Sequence, residues 1–191
     1  MKYRIDRDAL FDRFIIWNSY LKRRIRLVAC GGTALTLLGV KDSTKDIDLI
    51  VPDSKEYDYL VKTLQNIGYK LRTGHGWSSG DVFIFDIFKG NFVHTTELLE
   101  PPLDEGNHML IKEFSSIYLG VLNDYDLIIS KIFRGTRVDI DDCIALIKYR
   151  KDSIDLDRLK NRYRETASYS ISEEKVNRNL DLFLERMKGD M

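Results

Sequence analysis

The pattern of hydrophobic and polar positions divides the chain into a mixed first part and a helical second part. Leu10, Phe14 and Trp17 recur at helical spacing. Asp6 can cap this helix, which is predicted to run to about residue 24. Short apolar runs predict buried strands, and amphipathic stretches between them predict helices. The predicted strands are 27–30, 46–51, 69–72 and 82–88, with a strand or hairpin between 108 and 121, and the helices between them are 33–38 and 54–67.

From Asn123 onward the pattern is helical only. Helices are predicted at 124–133, 139–149, 156–166 and 172–187. The fold class is therefore α+β: a mixed β-sheet flanked by helices forms a head of residues 1–120, and a helical region of residues 121–191 packs on it. The glycine-rich segment 73–80 is predicted to be an exposed hairpin loop, with a mobile lid carrying Trp77 as the alternative.

Composition excludes several classes of protein. The 191 residues carry 30 basic and 30 acidic side chains, so net charge indicates no partner. Cys30 and Cys143 are too few for a disulfide framework and are expected in the core. The sequence has no apolar run of 18 residues and no apolar signal segment, so we expect a cytoplasmic protein with no membrane partner. His75, His94 and His108 lack metal-ligand spacing and are expected in loops or on the surface.

Two aspartates one residue apart are the most informative polar feature of the chain. Asp46 and Asp48 lie in a predicted strand, where alternation places them on one face. Carboxylates this close repel each other unless a cation lies between them. Upstream, Gly31 and Gly32 break the strand that ends at Cys30, and they can offer backbone N–H groups to an anion. A metal site beside a phosphate site suggests nucleotide chemistry.

A third carboxylate, Asp86, lies inside the apolar strand 82–88, where a charge is costly unless it is paired or bound to a cation. Three carboxylates on adjacent strands can hold two divalent cations about 4 Å apart, as in phosphoryl transfer. Mg²⁺ is the expected ion because the ligands are hard oxygens, and Mn²⁺ is the alternative. Asp81, at the strand edge, is the second choice for the third carboxylate. In the competing structural interpretation, Asp46 and Asp48 cap a strand end and Asp86 forms a salt bridge.

The glycine pair also has a structural interpretation, a strand-to-helix turn that needs a positive φ. It fits neither the Walker A pattern nor Gly-x-Gly-x-x-Gly. The hydroxyl of Thr33 could reach a phosphate oxygen or cap the following helix. Thr44 is expected to orient the approach to Asp46.

Residues 28–35, VACGGTAL, and 43–49, STKDIDL, resemble the core motif of the polymerase-β-like nucleotidyltransferase superfamily. That motif places Gly-Gly or Gly-Ser on a strand–helix turn, then Asp-x-Asp, then a third Asp on a later strand, matched here by Asp86. The form GGTAL and the tail resemble the branch that contains AbiEii-like nucleotidyltransferase toxins and related minimal nucleotidyltransferases. In the tail the matching residues are Lys131, Arg137, Asp139 and Asp142.

The resemblance implies transfer of a nucleoside monophosphate from an NTP substrate to a hydroxyl, with release of pyrophosphate. Asp46, Asp48 and Asp86 would bind the metal, and Asp86 could also deprotonate the attacking hydroxyl. The implied nucleotide- and phosphate-binding residues are Gly31, Gly32, Thr33, Thr44, Lys131 and Arg137. The acceptor could be a tRNA 3′ end or other RNA, a protein side chain or a small molecule. The resemblance to toxin–antitoxin proteins favours RNA or protein, and it implies a cognate partner protein.

Two other hypotheses remain open at this point. A nucleotidyltransferase-like fold can serve as a catalytically silent antitoxin or binding scaffold, since fold does not fix activity. A phosphohydrolase could use the same two metals. The basic stretch 158–164, which includes Arg158, Arg162 and Arg164, is typical of a solvated helix, and the alternative is a surface that tracks the phosphates of an RNA acceptor.

Overall fold

A computed structural model describes residues 3–80 and 82–190 of the chain. The helices are α1 (Arg7–Tyr20), α2 (Gly31–Leu37), α3 (Ser54–Asn66), α4 (Asp124–Arg134), α5 (Arg137–Arg150), α6 (Leu156–Ser168) and α7 (Glu173–Asp190), with a 3₁₀ turn at Lys151–Ser153. The strands are β1 (Ile5–Asp6), β2 (Ile25–Ala29), β3 (Ser43–Thr44), β4 (Ile47–Val51), β5 (Lys70–Leu71), β6 (Gly76–Ser78), β7 (Phe85–Lys89), β8 (Phe92–Val93), β9 (Thr96–Glu97), β10 (His108–Glu113) and β11 (Ile117–Leu122).

Seven of the strands form one mixed sheet in the order β10-β11-β2-β4-β7-β6-β5. The pairs β11–β2 and β4–β7 are parallel, and the other neighbours are antiparallel. The central strand β4 is buried along its whole length, which explains its nearly continuous apolar sequence. This architecture confirms the predicted α+β fold.

Local sequence signals account for the ends of the helices. The carboxylate of Asp6 accepts a hydrogen bond from the Ala9 N–H at the start of α1, and Asp53 caps α3 in the same way. Helix α1 ends at Tyr20, earlier than predicted, and the chain then turns into β2. The buried ring of Trp17 anchors α1 on the sheet, with its centroid 4.7 Å from that of Phe85.

The glycine-rich segment 73–80 forms a hairpin, as predicted, but part of it is a buried strand and not an exposed loop. This strand, β6, pairs with β5 and with β7. Trp77 is buried at 5% exposure and is not available to stack on a ligand. The strand predicted at 82–88 begins only at Phe85, and Asp81 lies outside the described residues.

The helical tail shares one hydrophobic core with the head. That core contains Leu27 and Phe85 of the sheet together with Ile129 of α4 and Phe183 of α7. Cys30 and Cys143 are both buried in this core, as expected. Helix α4 packs directly against α2, which brings its polar face to the end of β4. Among the helices of the described chain, none has the length and apolar character needed to cross a membrane.

Candidate active site

The turn between β2 and α2 is built around Asp48. Gly31 has a φ of 56°, and a Cβ at this position would lie 2.4 Å from the Asp48 Oδ2 atom. The Gly32 N–H donates to the same oxygen over 3.2 Å. Thr33 is buried, and its hydroxyl donates to the Asp46 carbonyl and accepts from the Asp48 N–H. The turn therefore fixes the positions of β4 and the Asp48 carboxylate relative to the start of α2.

This geometry bears on the roles predicted for the glycine turn. Gly32 lines the cavity described below, so its backbone remains available as a predicted phosphate contact. Gly31 and Thr33 are not among the lining residues, and both contact Asp48 of β4, so their phosphate-binding role stays a prediction. Thr44 does line the cavity, and its hydroxyl donates to the Asp46 carbonyl over 3.1 Å.

The three predicted carboxylates meet at one cavity. Asp48 of β4 pairs in register with Asp86 of the parallel strand β7. Asp46 precedes β4, and it lines the same cavity of about 240 Å³ as Asp48 and Asp86. The alternation argument therefore placed both members of the Asp-x-Asp pair correctly. Across β7, Gly76 leaves room for Asp86, since a Cβ there would lie 3.0 Å from the Asp86 Oδ1 atom.

The negative charges of these carboxylates are only partly compensated by neighbouring positive charges. Burial raises the pKa of Asp48 to about 6, although the positive charges of Arg134 and Lys131 oppose the shift. Burial also raises the pKa of Asp86, and the neighbouring Asp48 charge adds to the effect. A bound cation would relieve both costs.

The opposite wall of the cavity carries cations that are held by two buried aspartates. The Lys131 Nζ atom lies 2.7 Å from Asp142 Oδ2 and 3.5 Å from Asp139 Oδ1. Lys41 also pairs with Asp142, at 2.6 Å. Arg134 donates to both carboxylate oxygens of Asp139, from Nε over 2.8 Å and from Nη2. Such a wall of ordered cations suits a polyanion.

The prediction for Arg137 is not supported by this geometry. Arg137 is exposed at the start of α5 and is not among the residues that line the cavity. Arg134 occupies the cavity wall instead, because it lies three residues after Lys131 on α4 and therefore on the same helical face. That spacing was a usable signal in the sequence.

His94 lies in a loop, as expected, but its position at the cavity was not predicted. It lines the cavity, and its Nε2 atom lies 3.0 Å from Arg134 Nη1 and 3.8 Å from Asp48 Oδ1. Burial lowers the pKa of His94, and the Arg134 charge lowers it further. The imidazole is therefore neutral at pH 7, which allows it to accept the hydrogen bond from Arg134.

The buried carboxylate Asp139 should make stability depend on acid pH. Burial alone would raise its pKa, but hydrogen bonds from Arg134 and Thr136 lower it to about 2, below the ordinary value of 3.8. Its stabilising contribution, of about 2 kcal/mol, is complete above pH 4 and is lost as the pH falls toward 2. An Asp139→Asn variant should be less stable than the wild type at pH 7, and urea unfolding should show this difference shrinking between pH 4 and pH 2. A stability difference that stays constant between pH 4 and pH 2 would contradict the lowered pKa assigned to Asp139.

The basic stretch of α6 is largely engaged within the protein. Arg162 donates to both oxygens of Asp126, over 2.9 and 3.0 Å, and pairs with Glu100. Arg158 lies over the ring of Tyr125 at 4.8 Å. These contacts argue against a free phosphate-tracking surface at Arg162 and Arg158.

The comparisons with known proteins agree with this architecture. Over residues 18–190 the sequence matches a family described as nucleotidyltransferase of unknown function, DUF6036. The chain belongs to this family. The family supports the predicted superfamily and a transferase, and the AbiEii-like branch stays a prediction. No curated protein matches the sequence.

Two solved structures share the fold of this chain. The crystal structure of ANT(2″)-Ia in complex with adenylyl-2″-tobramycin is 13% identical, covers 84% of this chain and 96% of that chain, and has a TM-score of 0.57. The solution structure of the antibiotic-resistance factor ANT(2″)-Ia is 14% identical, with coverages of 84% and 90% and a TM-score of 0.57. At this identity both show the fold alone. An antigenic nucleotidyltransferase-like protein from Paracoccidioides brasiliensis is 14% identical, with coverages of 91% and 94% and a TM-score of 0.47, too low to carry an argument.

Proposed function

We propose that this protein transfers a nucleoside monophosphate from an NTP to a hydroxyl acceptor in a metal-dependent reaction. The observation that carries the proposal is the pairing of Asp48 with Asp86 on adjacent parallel strands, opposite the cations Lys131 and Arg134 in one cavity. Carboxylates on one wall and ordered cations on the other suit a metal-bound triphosphate.

Asp46, Asp48 and Asp86 are the residues that would hold Mg²⁺, or Mn²⁺ in its place. The raised pKa values of Asp48 and Asp86 fit a site that lacks positive charge. Within the described chain, however, no group of three or more His, Cys, Asp or Glu side chains is already arranged around a metal position. The nucleotide would therefore complete the coordination, as is usual for Mg²⁺ bound by one or two carboxylates and substrate phosphates. When bound, one or two such ions would supply positive charge to the phosphate oxygens.

The protein's own side chains would handle the proton and the leaving group. The acceptor hydroxyl oxygen would form a bond to the α-phosphorus, and the bond from that phosphorus to the bridging oxygen of the β-phosphate would break. Asp86, with its raised pKa, would take the hydroxyl proton. Lys131 and Arg134 would stabilise the negative charge on the departing pyrophosphate, and Gly32 and Thr44 would contact the nucleotide from the turn side.

Metal and nucleotide should bind together if the coordination is shared. Isothermal titration with Mg²⁺ alone should give weak binding, whereas an NTP titrated in the presence of Mg²⁺ should bind at least about tenfold more tightly than the same NTP with EDTA. Equal NTP affinity with Mg²⁺ and with EDTA would argue against the proposed metal site.

For the acceptor, we place a protein hydroxyl ahead of RNA. The internal pairing of Arg162 removes one basic surface from RNA binding, and three acidic side chains, Glu97, Glu100 and Glu165, line a second cavity of about 400 Å³. A protein acceptor is compatible with a role in a toxin–antitoxin system, in which the substrate would be the cognate partner.

The test is transfer of label from each of the four α-labelled NTPs, with Mg²⁺, to total RNA or to a cell protein extract. The proposal expects labelled acceptor with the wild type and none with Asp86→Asn. Asp58→Asn, which changes an exposed carboxylate on α3 that pairs with Lys89, is the control and should label normally. Labelled RNA in place of labelled protein would identify RNA as the acceptor. Label released as free nucleotide without any acceptor would favour the phosphohydrolase.

A second candidate function is a nucleotide-binding scaffold or antitoxin without turnover. Binding of Mg²⁺ and NTP with no labelled product, together with partner co-purification that survives Asp46→Ala and Asp48→Ala, would support this function over transfer.

A further inference from the structure

His94 lies at the centre of the cavity, yet the transfer reaction described above gives it no role. It is the first residue of the two-residue turn between β8 and β9. Its φ of 52° is uncommon for a residue other than glycine. Its ring packs edge-on against Phe88 of β7, with centroids 4.7 Å apart. The turn and the ring contact together fix the direction of the imidazole.

The imidazole lies between the two walls of the site. Arg134 Nη1 donates to His94 Nε2 over 3.0 Å, so Nε2 carries no proton and the proton is on Nδ1. On its other side, the same nitrogen is 3.8 Å from Asp48 Oδ1. His94 therefore lies between Arg134 of α4 and Asp48 of β4.

The contacts of Arg134 show what His94 adds. Of its five N–H donors, two are used by Asp139 and one by His94, which leaves two for a ligand. Asp139 alone would hold one edge of the guanidinium. With His94 the plane is held from two sides, and a guanidinium fixed in this way loses less freedom when it binds phosphate oxygens.

We infer that His94 is a positioning residue that acts through Arg134 to set the affinity of the site for a triphosphate. The inference rests on the proposed function, because it assigns the ligand of Arg134 as the NTP. The competing interpretation is that His94 only closes the β8–β9 turn and packs on Phe88.

Two variants of similar size separate these interpretations. His94→Leu and His94→Gln both place a non-glycine residue at the strained turn, but only Gln keeps an acceptor near the Nε2 position. His94→Leu should raise the Kd for NTP with Mg²⁺ about tenfold, the usual scale for a lost hydrogen bond to a charged group. His94→Gln should stay within about threefold of the wild type. In turnover assays the change should appear in KM for NTP, with kcat changed by less than about threefold.

A double-mutant cycle tests the route through Arg134. His94→Leu should have little further effect in an Arg134→Lys background, because the residue through which it acts is already altered. His75 contacts the same Phe88 ring, at 5.1 Å, without lining the cavity, so His75→Leu is the packing control and should bind NTP as the wild type does.

The outcomes are distinguishable. Equal NTP affinity in His94→Leu and the wild type, or fully additive effects with Arg134→Lys, would overturn the positioning role and leave the proposed function standing. A wild type that binds no NTP with Mg²⁺ would overturn the proposed function itself. Equal losses in His94→Leu and His94→Gln would assign His94 to the turn alone.

Discussion

At pH 7 an Asp48→Asn variant should be inactive in nucleotide transfer and yet more stable than the wild type. Asp48 is 6% exposed, and burial raises its pKa to about 6, against an ordinary value of 3.8. Between these pH values the folded state binds more protons than the unfolded state, so stability falls as the pH rises from about 4 to about 6. Above about pH 6 the buried Asp48 charge lowers the free energy of unfolding by its full amount, about 1–3 kcal/mol. Asparagine removes the charge while keeping an oxygen that can accept from the Gly32 N–H.

The measurement is chemical or thermal unfolding of both proteins at pH 7 and pH 4. The advantage of Asp48→Asn should raise the melting temperature by about 2–4 °C for each kcal/mol at pH 7, and it should shrink at pH 4. Asp58→Asn is the control, because the Asp58 carboxylate is exposed and its ion pair with Lys89 lies at the surface, so its replacement should change stability by less than about 1 kcal/mol at either pH. An Asp48→Asn protein that is less stable than the wild type at pH 7 would contradict the assignment.

The same variant should lose the response to ligand. Mg²⁺ with NTP should stabilise the wild type in proportion to its binding and leave Asp48→Asn almost unchanged. Transfer activity should fall by about 10²- to 10³-fold, as expected when one group that stabilises developing charge is removed. A site that costs stability when empty and gains it when loaded is typical of function selected over stability.

The carboxylate side of the site could be predicted from the sequence because it depends on local periodicity. Alternation brings Asp46, just before β4, and Asp48, within it, to the same cavity, and an isolated charge in an apolar strand identifies Asp86. Their registry on adjacent parallel strands follows once both strands enter one sheet. The glycine turn was found for the same reason, although its contacts with Asp48 needed the three-dimensional structure.

The cation side was predicted less well, because it depends on how distant segments meet. Lys131, which the resemblance implies, lines the cavity, whereas Arg137, which it also implies, does not; Arg134 lines the cavity, and helical spacing from Lys131 is the signal for it. His94 carries no local signal at all. It reaches the site because the β8–β9 hairpin, which follows β7 after two residues, folds back beside that strand. The paired strand β6 was missed because three glycines suggested a loop, whereas Gly76 is needed for the space beside Asp86.

Gly31→Ala should be among the most damaging single changes at this site. Alanine at a φ of 56° costs about 1 kcal/mol or more for the left-handed backbone alone. Its Cβ would also lie 2.4 Å from Asp48 Oδ2 and 2.9 Å from Asp48 Cγ, so the carboxylate would have to move. We therefore expect a loss of stability beyond the backbone cost, together with a loss of NTP binding and transfer comparable to that of Asp48→Asn.

Gly39→Ala provides a matched control for this change. Gly39 has a φ of 78°, so it carries the same kind of backbone cost, but no described atom lies within 4 Å of a Cβ at that position. It should lose about 1 kcal/mol in urea unfolding and keep full transfer activity. The loss of stability in Gly31→Ala minus the loss in Gly39→Ala gives the cost of displacing the Asp48 carboxylate. If the two variants lose equal stability and both remain active, the close approach of Gly31 to Asp48 does not position the carboxylate, and the turn serves only to connect β2 to α2.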